Sequence, residues 1–277
     1  MKRIKRLLLV SGVAAIAGYS FLLGYNVGEN KTLQRYVDRN LPAIINSEVK
    51  GVNIGFGGLP IPNVAYVVRD LPIYHGEPSN ILGAYIPDSE TMILFSDSII
   101  SPEHNLENLI TGLLRRGEMG DATFTIKHEV GHHIANFIAQ KFGVGIWPRI
   151  ESYSHDRSWY APNVEDVNFS NRLVSEGIGT YFERKGKNEK LDFNNWEWQE
   201  ILRKGNRSIE EQTRAHHIFY EGGYALVKPI IDKFESIGIL YLIRNTQTIE
   251  DLRDAKKYQD EALKNLAANI YFTRKSK

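Results

Sequence analysis

The segment between Thr123 and Phe142 constrains this chain most, because it combines a helical pattern with His128, Glu129 and His132 in the order His-Glu-x-x-His. Apolar residues recur along it at the spacing of one helix face. They are Ile126, Val130, Ile134, Phe137 and Ile138. The segment is therefore expected to form one helix with a buried side.

The two histidines are placed to share a ligand. Positions four apart lie one above the other on a helix, so His128 and His132 can hold one metal ion from the same side. Glu129 lies about 80° around the helix from the pair. At that angle it is a poor ligand, but it can reach a water molecule on the ion. Zinc sites of this kind serve hydrolysis. The pattern thus predicts a zinc ion, with Glu129 as general base.

The neighbouring positions complete this helix. Asp121 is expected to be its N-cap and Gly143 the residue that ends it. His133 points about 120° away from the histidine pair. We interpret His133 as a packed histidine, or one that supports the site, rather than as a ligand.

The N-terminal part of the chain, residues 1–28, predicts a membrane anchor or a signal segment. Four basic residues within Met1–Arg6 precede an apolar run, Leu7–Tyr25, of about 19 residues. A helix of roughly 20 apolar residues spans a bilayer, and a basic flank stays on the cytoplasmic side. A single-pass protein of the cell membrane with an extracytoplasmic body is expected. The alternative is a secreted chain, cleaved at Ala15-Ile16-Ala17.

The rest of the chain, residues 29–277, is long enough for one large domain or two lobes around a cleft. It contains no cysteine, so disulfides and thiolate chemistry are excluded. The net charge of +1 provides no basic excess to neutralise phosphates. Nucleic acid is therefore not an expected partner.

Secondary-structure patterns before the histidine helix predict a small mixed or antiparallel sheet. A helix or helical linker is expected at Asn30–Val49, and the Gly- and Pro-rich segment Gly51–Pro62 breaks it. Short runs of β-branched and aromatic residues follow between turn residues. The predicted strands are Val64–Val68, Ile81–Ile86 and Thr91–Phe95, with a further helix at Leu106–Arg116.

The second half predicts a helical lobe. Val144–Ser170 is expected to be a long loop that either covers the cleft or is a surface insertion. Helices are predicted at Asn171–Gly186, from a capping box at Ser208, and over Ile231–Phe272 with a break at Asn245–Thr248. Pro229 is expected to kink or restart a helix.

Glu176 is the predicted third metal ligand. It shares one face of its helix with Thr180 and Glu183, and polar groups on a buried face need a partner such as a metal. Glu183 is either a hydrogen-bond acceptor for a ligating imidazole or an exposed charge. Asp166 and His155 are the next candidate ligands.

A tyrosine is the predicted donor to the oxyanion of the reaction. His216, Tyr220 and Tyr224 are spaced by four, so a regular helix would place them on one face. A phenol facing the cleft can donate a hydrogen bond to the developing negative charge. Spacing alone leaves both tyrosines open, with His216 or His217 as alternative donors.

At these residues the chain resembles the gluzincin metallopeptidases. The segment Ser175–Tyr181 is similar to the Asn-Glu-Gly ligand helix of the zinc aminopeptidases of the aminopeptidase N type, and Tyr220–Gly223 is similar to their Tyr-Glu-Lys-Gly segment. The resemblance implies Glu176 as a zinc ligand and Tyr220 as the residue that stabilises the tetrahedral intermediate. The chain is much shorter than those enzymes and lacks their Gly-x-Met-Glu-Asn segment, so exopeptidase activity is not implied.

Together these observations predict an α+β, zincin-like fold, with a sheet-bearing lobe to about residue 143 and a helical lobe after it. The predicted function is hydrolysis of peptide or protein substrates by a zinc metallopeptidase. Its metal ligands are His128, His132 and Glu176, and its catalytic residues are Glu129 and Tyr220. Two alternatives stay open: a zinc-dependent hydrolase of a non-peptide amide or ester, and a non-catalytic zinc module.

Overall fold

The computed structural model describes residues 31–48, 64–69, 82–95, 99, 120–148, 166–184, 218–245 and 255–275. Residues 31–48 form helix α1. The later elements are β1 (Ala65–Arg69), β2 (Gly83–Ile86), β3 (Thr91–Phe95), α2 (Gly120–Lys141), α3 (Asp166–Arg184), a π-helical turn (Ile218–Gly222), α4 (Gly223–Arg244) and α5 (Ala255–Lys275). The small sheet followed by helices confirms the predicted α+β class.

The three strands form a mixed sheet in the order β1-β3-β2. β1 runs parallel to β3, and β2 runs antiparallel to it with Tyr85 opposite Met92. β3 is the central strand, and its Met92 and Leu94 side chains are fully buried. Of the two predicted forms, mixed or antiparallel, the sheet is mixed, and the predicted strands agree with the observed ones to within two residues.

Helix α1 packs beside α2. Its buried residues recur at helical spacing, which gives it one apolar face. They are Leu33, Val37, Leu41, Ile44 and Ile45. Polar contacts fix the two helices at both ends of this face: the Tyr36 hydroxyl bonds the Thr123 hydroxyl, and Lys127 Nζ lies 3.4 Å from Glu48 Oε1.

Helix α2 ends as the sequence predicts. Gly143 has a φ of +75°, and its amide donates to the Gln140 carbonyl while that of Val144 donates to the Ala139 carbonyl. These two bonds define a Schellman motif, for which glycine is favoured because it has no Cβ. The predicted N-cap is wrong. The helix begins at Gly120, so Asp121 lies in its first turn.

Helices α3 and α4 touch through their backbones. A Cβ on Gly223 would lie 2.3 Å from the Leu173 carbonyl oxygen, and one on Gly177 would lie 2.4 Å from the Gly223 oxygen. Only glycine permits such an approach. α3 also begins at Asp166, five residues before the predicted start, so the end of the predicted 144–170 loop is helical.

Helix α4 does not kink where its proline predicts. Pro229 lies inside the helix, and the non-helical residue is Glu235, with a φ of 48°. Proline lacks the amide hydrogen that would bond the carbonyl of Ala225. Gln259 of α5 donates to that carbonyl instead, at 2.8 Å, and to the Leu226 carbonyl at 3.1 Å. The cross-helix bonds explain why the helix continues past Pro229.

No helix in the described part of the chain is long and apolar enough to cross a bilayer. Several predictions concern residues outside that part. They are the 1–28 anchor, the Leu106–Arg116 helix, the capping box at Ser208, and the side chains of His155, Asp166, His216 and His217.

Candidate metal centre and catalytic cluster

The three predicted metal ligands meet between α2 and α3. His128 and His132 project from α2, and Glu176 projects from α3 between them. Glu176 Oε2 lies 3.2 Å from His128 Nε2 and 3.7 Å from His132 Nε2. One ligand atom from each residue lies within 4.8 Å of the other two. The three side chains therefore form a cluster able to hold a metal ion.

The donor set fits zinc. Zinc takes imidazole nitrogen at about 2.0–2.1 Å and carboxylate oxygen at about 2.0–2.2 Å, so ligand atoms around a tetrahedral ion lie about 3.4 Å apart. The measured separations from Glu176 to the two imidazoles bracket that value. Two neutral nitrogen ligands and one carboxylate are also a ligand set that zinc uses when a water completes the site.

Two further contacts orient the imidazole rings. Glu183 Oε2 lies 3.3 Å from Nδ1 of His128, and the Ser175 hydroxyl lies 3.1 Å from Nδ1 of His132. A partner on Nδ1 fixes the ring and leaves Nε2 for a metal. Of the two roles predicted for Glu183, the structure shows the hydrogen bond to an imidazole. No sequence pattern pointed to Ser175.

His133 faces away from the cluster. It is buried, and its Nδ1 lies 3.0 Å from the Tyr85 hydroxyl on β2. That hydroxyl also accepts a hydrogen bond from Asn136, whose Oδ1 accepts the amide of Trp147. His133 thus points away from the histidine pair, as its helical angle predicted, and belongs to a buried network that joins α2 to the edge strand. Trp147, near the start of the predicted 144–170 loop, is a buried residue of the core.

Glu129 is buried next to the metal cluster. Its side chain is 5% exposed, and within the described residues Oε2 has no hydrogen-bond partner. β2 covers it closely, since a Cβ on Gly83 would lie 3.0 Å from Glu129 Oε1. Burial raises the pKa of Glu129, although His132 and His128 oppose this effect. A buried carboxylate with an uncommitted oxygen beside a metal cluster is suited to accept a proton.

Tyr220 closes the other side of His128. The two rings are stacked, with centroids 5.3 Å apart and planes 24° from parallel. Burial raises the pKa of Tyr220 well above its usual value, and so do Glu176, Glu129 and a hydrogen bond with Glu176. The phenol therefore stays protonated and is able to donate.

Tyr224 is not part of the cluster. It is 1% exposed, and its ring lies against Tyr181 with centroids 6.5 Å apart. The predicted ladder of tyrosines on one helix face is wrong, because Tyr220 lies in a π-helical turn whose wider spacing changes the direction of its side chains. Of the two tyrosines, only Tyr220 reaches the metal cluster.

The cluster attracts positive charge. Burial alone would lower the pKa of His128, but hydrogen bonds to Glu176 and Glu183, together with the charge of Glu129, raise it to about 10. Burial opposes ionisation of Glu176, yet the two imidazoles hold its pKa well below the usual value. Three carboxylates therefore lie around the imidazoles, and either a proton on His128 or a bound metal ion balances their charge.

The close contact between Gly179 and His128 was also not predicted from the sequence. A Cβ there would lie 2.6 Å from His128 Nε2, so α3 lies directly against the imidazole. A glycine inside a helix costs about 1 kcal/mol relative to alanine, which is a signal that its position has a packing role. Gly83 on β2 carried no comparable signal, because its contact depends on how the sheet and α2 meet.

The chain shows no match to a protein-family model, to a curated protein or to a solved structure.

Proposed function

We propose that the protein is a zinc metallopeptidase of the gluzincin type with a zincin-like fold. One observation carries the proposal: the buried carboxylate of Glu129, with an uncommitted oxygen, adjoins three residues arranged as zinc ligands. A structural zinc site needs no base and is usually closed by four protein ligands. His128, His132 and Glu176 are three ligands, and Glu129 supplies the base.

The chain's residues divide the chemistry between them. When bound, zinc would polarise a substrate carbonyl and acidify a water molecule. Glu129 accepts the proton of the attacking water and passes it to the leaving amine. Tyr220 donates its phenolic hydrogen to the oxyanion that develops on the substrate. Glu183 and Ser175 hold the two imidazoles in the orientation that presents Nε2.

The substrate class follows from the resemblance of the motifs to peptidases and from the mechanism. The proposed substrates are peptides or proteins on the extracytoplasmic side of a membrane, where the apolar segment Leu7–Tyr25 would hold the chain. The same residues would also hydrolyse a non-peptide amide or ester, because that reaction needs the same base and the same oxyanion donor.

Replacing the base tests the proposal. Glu129→Gln keeps the shape of the side chain and removes its basicity, so hydrolysis of a peptide library should fall by about 10²- to 10⁴-fold while zinc content stays constant. Glu261→Gln is the matched control, because Glu261 is exposed on α5. Undiminished turnover in Glu129→Gln would refute the mechanism. Zinc binding without hydrolysis of any peptide, amide or ester would instead indicate a non-catalytic module.

A further inference from the structure

The π-helical turn that carries Tyr220 is attached to α3 at three successive points. The guanidinium of Arg172 lies 4.4 Å from the centre of the Phe219 ring. Arg184 pairs with Glu221. Gly223, just after the turn, packs against the backbone of α3. Phe219 and Glu221 flank Tyr220 in the sequence, so the phenol is held between fixed neighbours.

The pair between Arg184 and Glu221 is the most directional of these contacts. Nη1 of Arg184 donates to Glu221 Oε2 at 2.7 Å, and Nη2 donates to Oε1. Both side chains are about four-fifths buried, with 21% and 20% exposed. A two-bond guanidinium–carboxylate contact fixes orientation as well as distance, and its burial limits screening by solvent.

Arg184 is also adjacent to the other residue that holds His128. Glu183 precedes Arg184 on α3 and contacts Nδ1 of His128. Glu221 follows Tyr220, whose ring stacks on the same imidazole. One end of α3 therefore controls both the hydrogen bond to His128 and the phenol that covers it.

We propose that Arg184 and Glu221 are positioning residues that hold the Tyr220 phenol over the metal cluster. The proposal rests on the proposed function for its kinetic consequence, since Tyr220 acts on the oxyanion only if the chain is a hydrolase. Glu221 acts through its neighbour Tyr220. Arg184 Nε also lies 4.0 Å from Glu183 Oε1, so a change at Arg184 can reach His128 by a second route, and Glu221 is the position that isolates the effect on Tyr220.

A double-mutant cycle tests this dependence. Glu221→Gln should lower kcat about tenfold with little change in KM or zinc content, because the glutamine amide keeps one acceptor oxygen for Arg184 and loses the second one together with the negative charge. In a Tyr220→Phe background the same substitution should change kcat by less than about twofold, since the group it positions is already gone. Asp260→Asn is the control, because it removes the charge from an exposed ion pair with Lys256 on α5. Equal losses in both backgrounds would overturn the proposal.

A spectroscopic measurement keeps the test independent of activity. With 3-fluorotyrosine incorporated at position 220 of the zinc-loaded chain, the ¹⁹F resonance should be displaced by the stacked imidazole. Glu221→Gln should move it towards the value of the unfolded chain, and Asp260→Asn should leave it in place. Arg184→Lys, which keeps the charge but loses the planar two-bond contact, provides a second and milder variant.

The two tests separate this proposal from the proposed function. A ¹⁹F resonance that stays unchanged in both Glu221→Gln and Arg184→Lys overturns the positioning role, whatever the chain hydrolyses. A resonance that moves in a protein without hydrolytic activity supports the positioning role and counts against the peptidase.

Discussion

Replacing Gly179 with alanine should disable the metal site while the chain stays folded. The new Cβ would lie 2.6 Å from His128 Nε2, whereas ordinary contacts begin at 3.4 Å. The imidazole or α3 must therefore move by about 0.8 Å, and metal–ligand distances tolerate only about 0.2 Å. We expect zinc affinity to fall by at least about 10- to 100-fold, as it does when groups that support metal ligands are lost.

The same variant should lose at most about 3 kcal/mol of unfolding free energy, because two effects oppose each other. Overpacking costs about 1–3 kcal/mol, and replacing a helical glycine by alanine returns up to about 1 kcal/mol. Competition with a chromogenic chelator measures zinc affinity, and urea unfolding of the metal-free chain measures stability.

Gly143→Ala is the matched control. It introduces the same methyl group with no atom within 4 Å, at a φ of +75°. The strained backbone costs about 1–2 kcal/mol, but the site is untouched. The control should therefore lose stability and keep its zinc affinity. Wild-type zinc affinity in Gly179→Ala would refute the reasoning.

Two further predictions concern the tyrosines and the metal. Tyr220→Phe should lower kcat by about 10²- to 10³-fold with little change in KM, while Tyr224→Phe should be mild because its ring is preserved; steady-state kinetics would show the reverse pattern if Tyr224 were the donor. At a free zinc concentration of about 100 times the Kd, bound zinc should add about 2.7 kcal/mol to the free energy of unfolding. Removing the zinc should therefore lower the Tm by roughly 5–11 °C. Calorimetry of Glu176→Ala should show no such dependence, and a wild-type zinc content in that variant would move the third ligand to Asp166 or His155.

Local spacing predicted much of the cluster. His128 and His132 project together because four residues span about one helical turn. The polar face of Glu176 and Glu183 indicated that α3 meets something other than the core. Gly143 ends α2 because a left-handed residue completes the Schellman motif. Each of these predictions needs only the geometry of a single helix.

The sequence did not predict features that depend on how elements meet. The π-helical turn separates Tyr220 from Tyr224, and helical spacing cannot reveal it because that spacing assumes a regular α-helix. A kink or restart was predicted at Pro229. Gln259 instead donates to the Ala225 carbonyl that Pro229 leaves without an amide partner, and the helical geometry is interrupted at Glu235. Ser175 contacts His132 and Gly83 lies against Glu129, and both partners are distant in the sequence, so local patterns could not predict these contacts.

The bond from Gln259 to the carbonyl of Ala225 has a consequence for how the C-terminal helix assembles. In a regular helix each interior carbonyl already accepts the amide four residues onward, so a neighbour's donor must share it, as Gln259 shares the Leu226 carbonyl. Pro229 leaves the Ala225 carbonyl of α4 without an amide partner in its own helix. Apolar side chains such as Tyr258 and Ala262 would let α5 slide by a turn at modest cost, whereas the Ala225 carbonyl, which lacks an amide partner within α4, favours the register that places Gln259 beside it. Pro229 thus helps to set the register of α5 on α4, through a glutamine 30 residues downstream that bonds the carbonyl it leaves open.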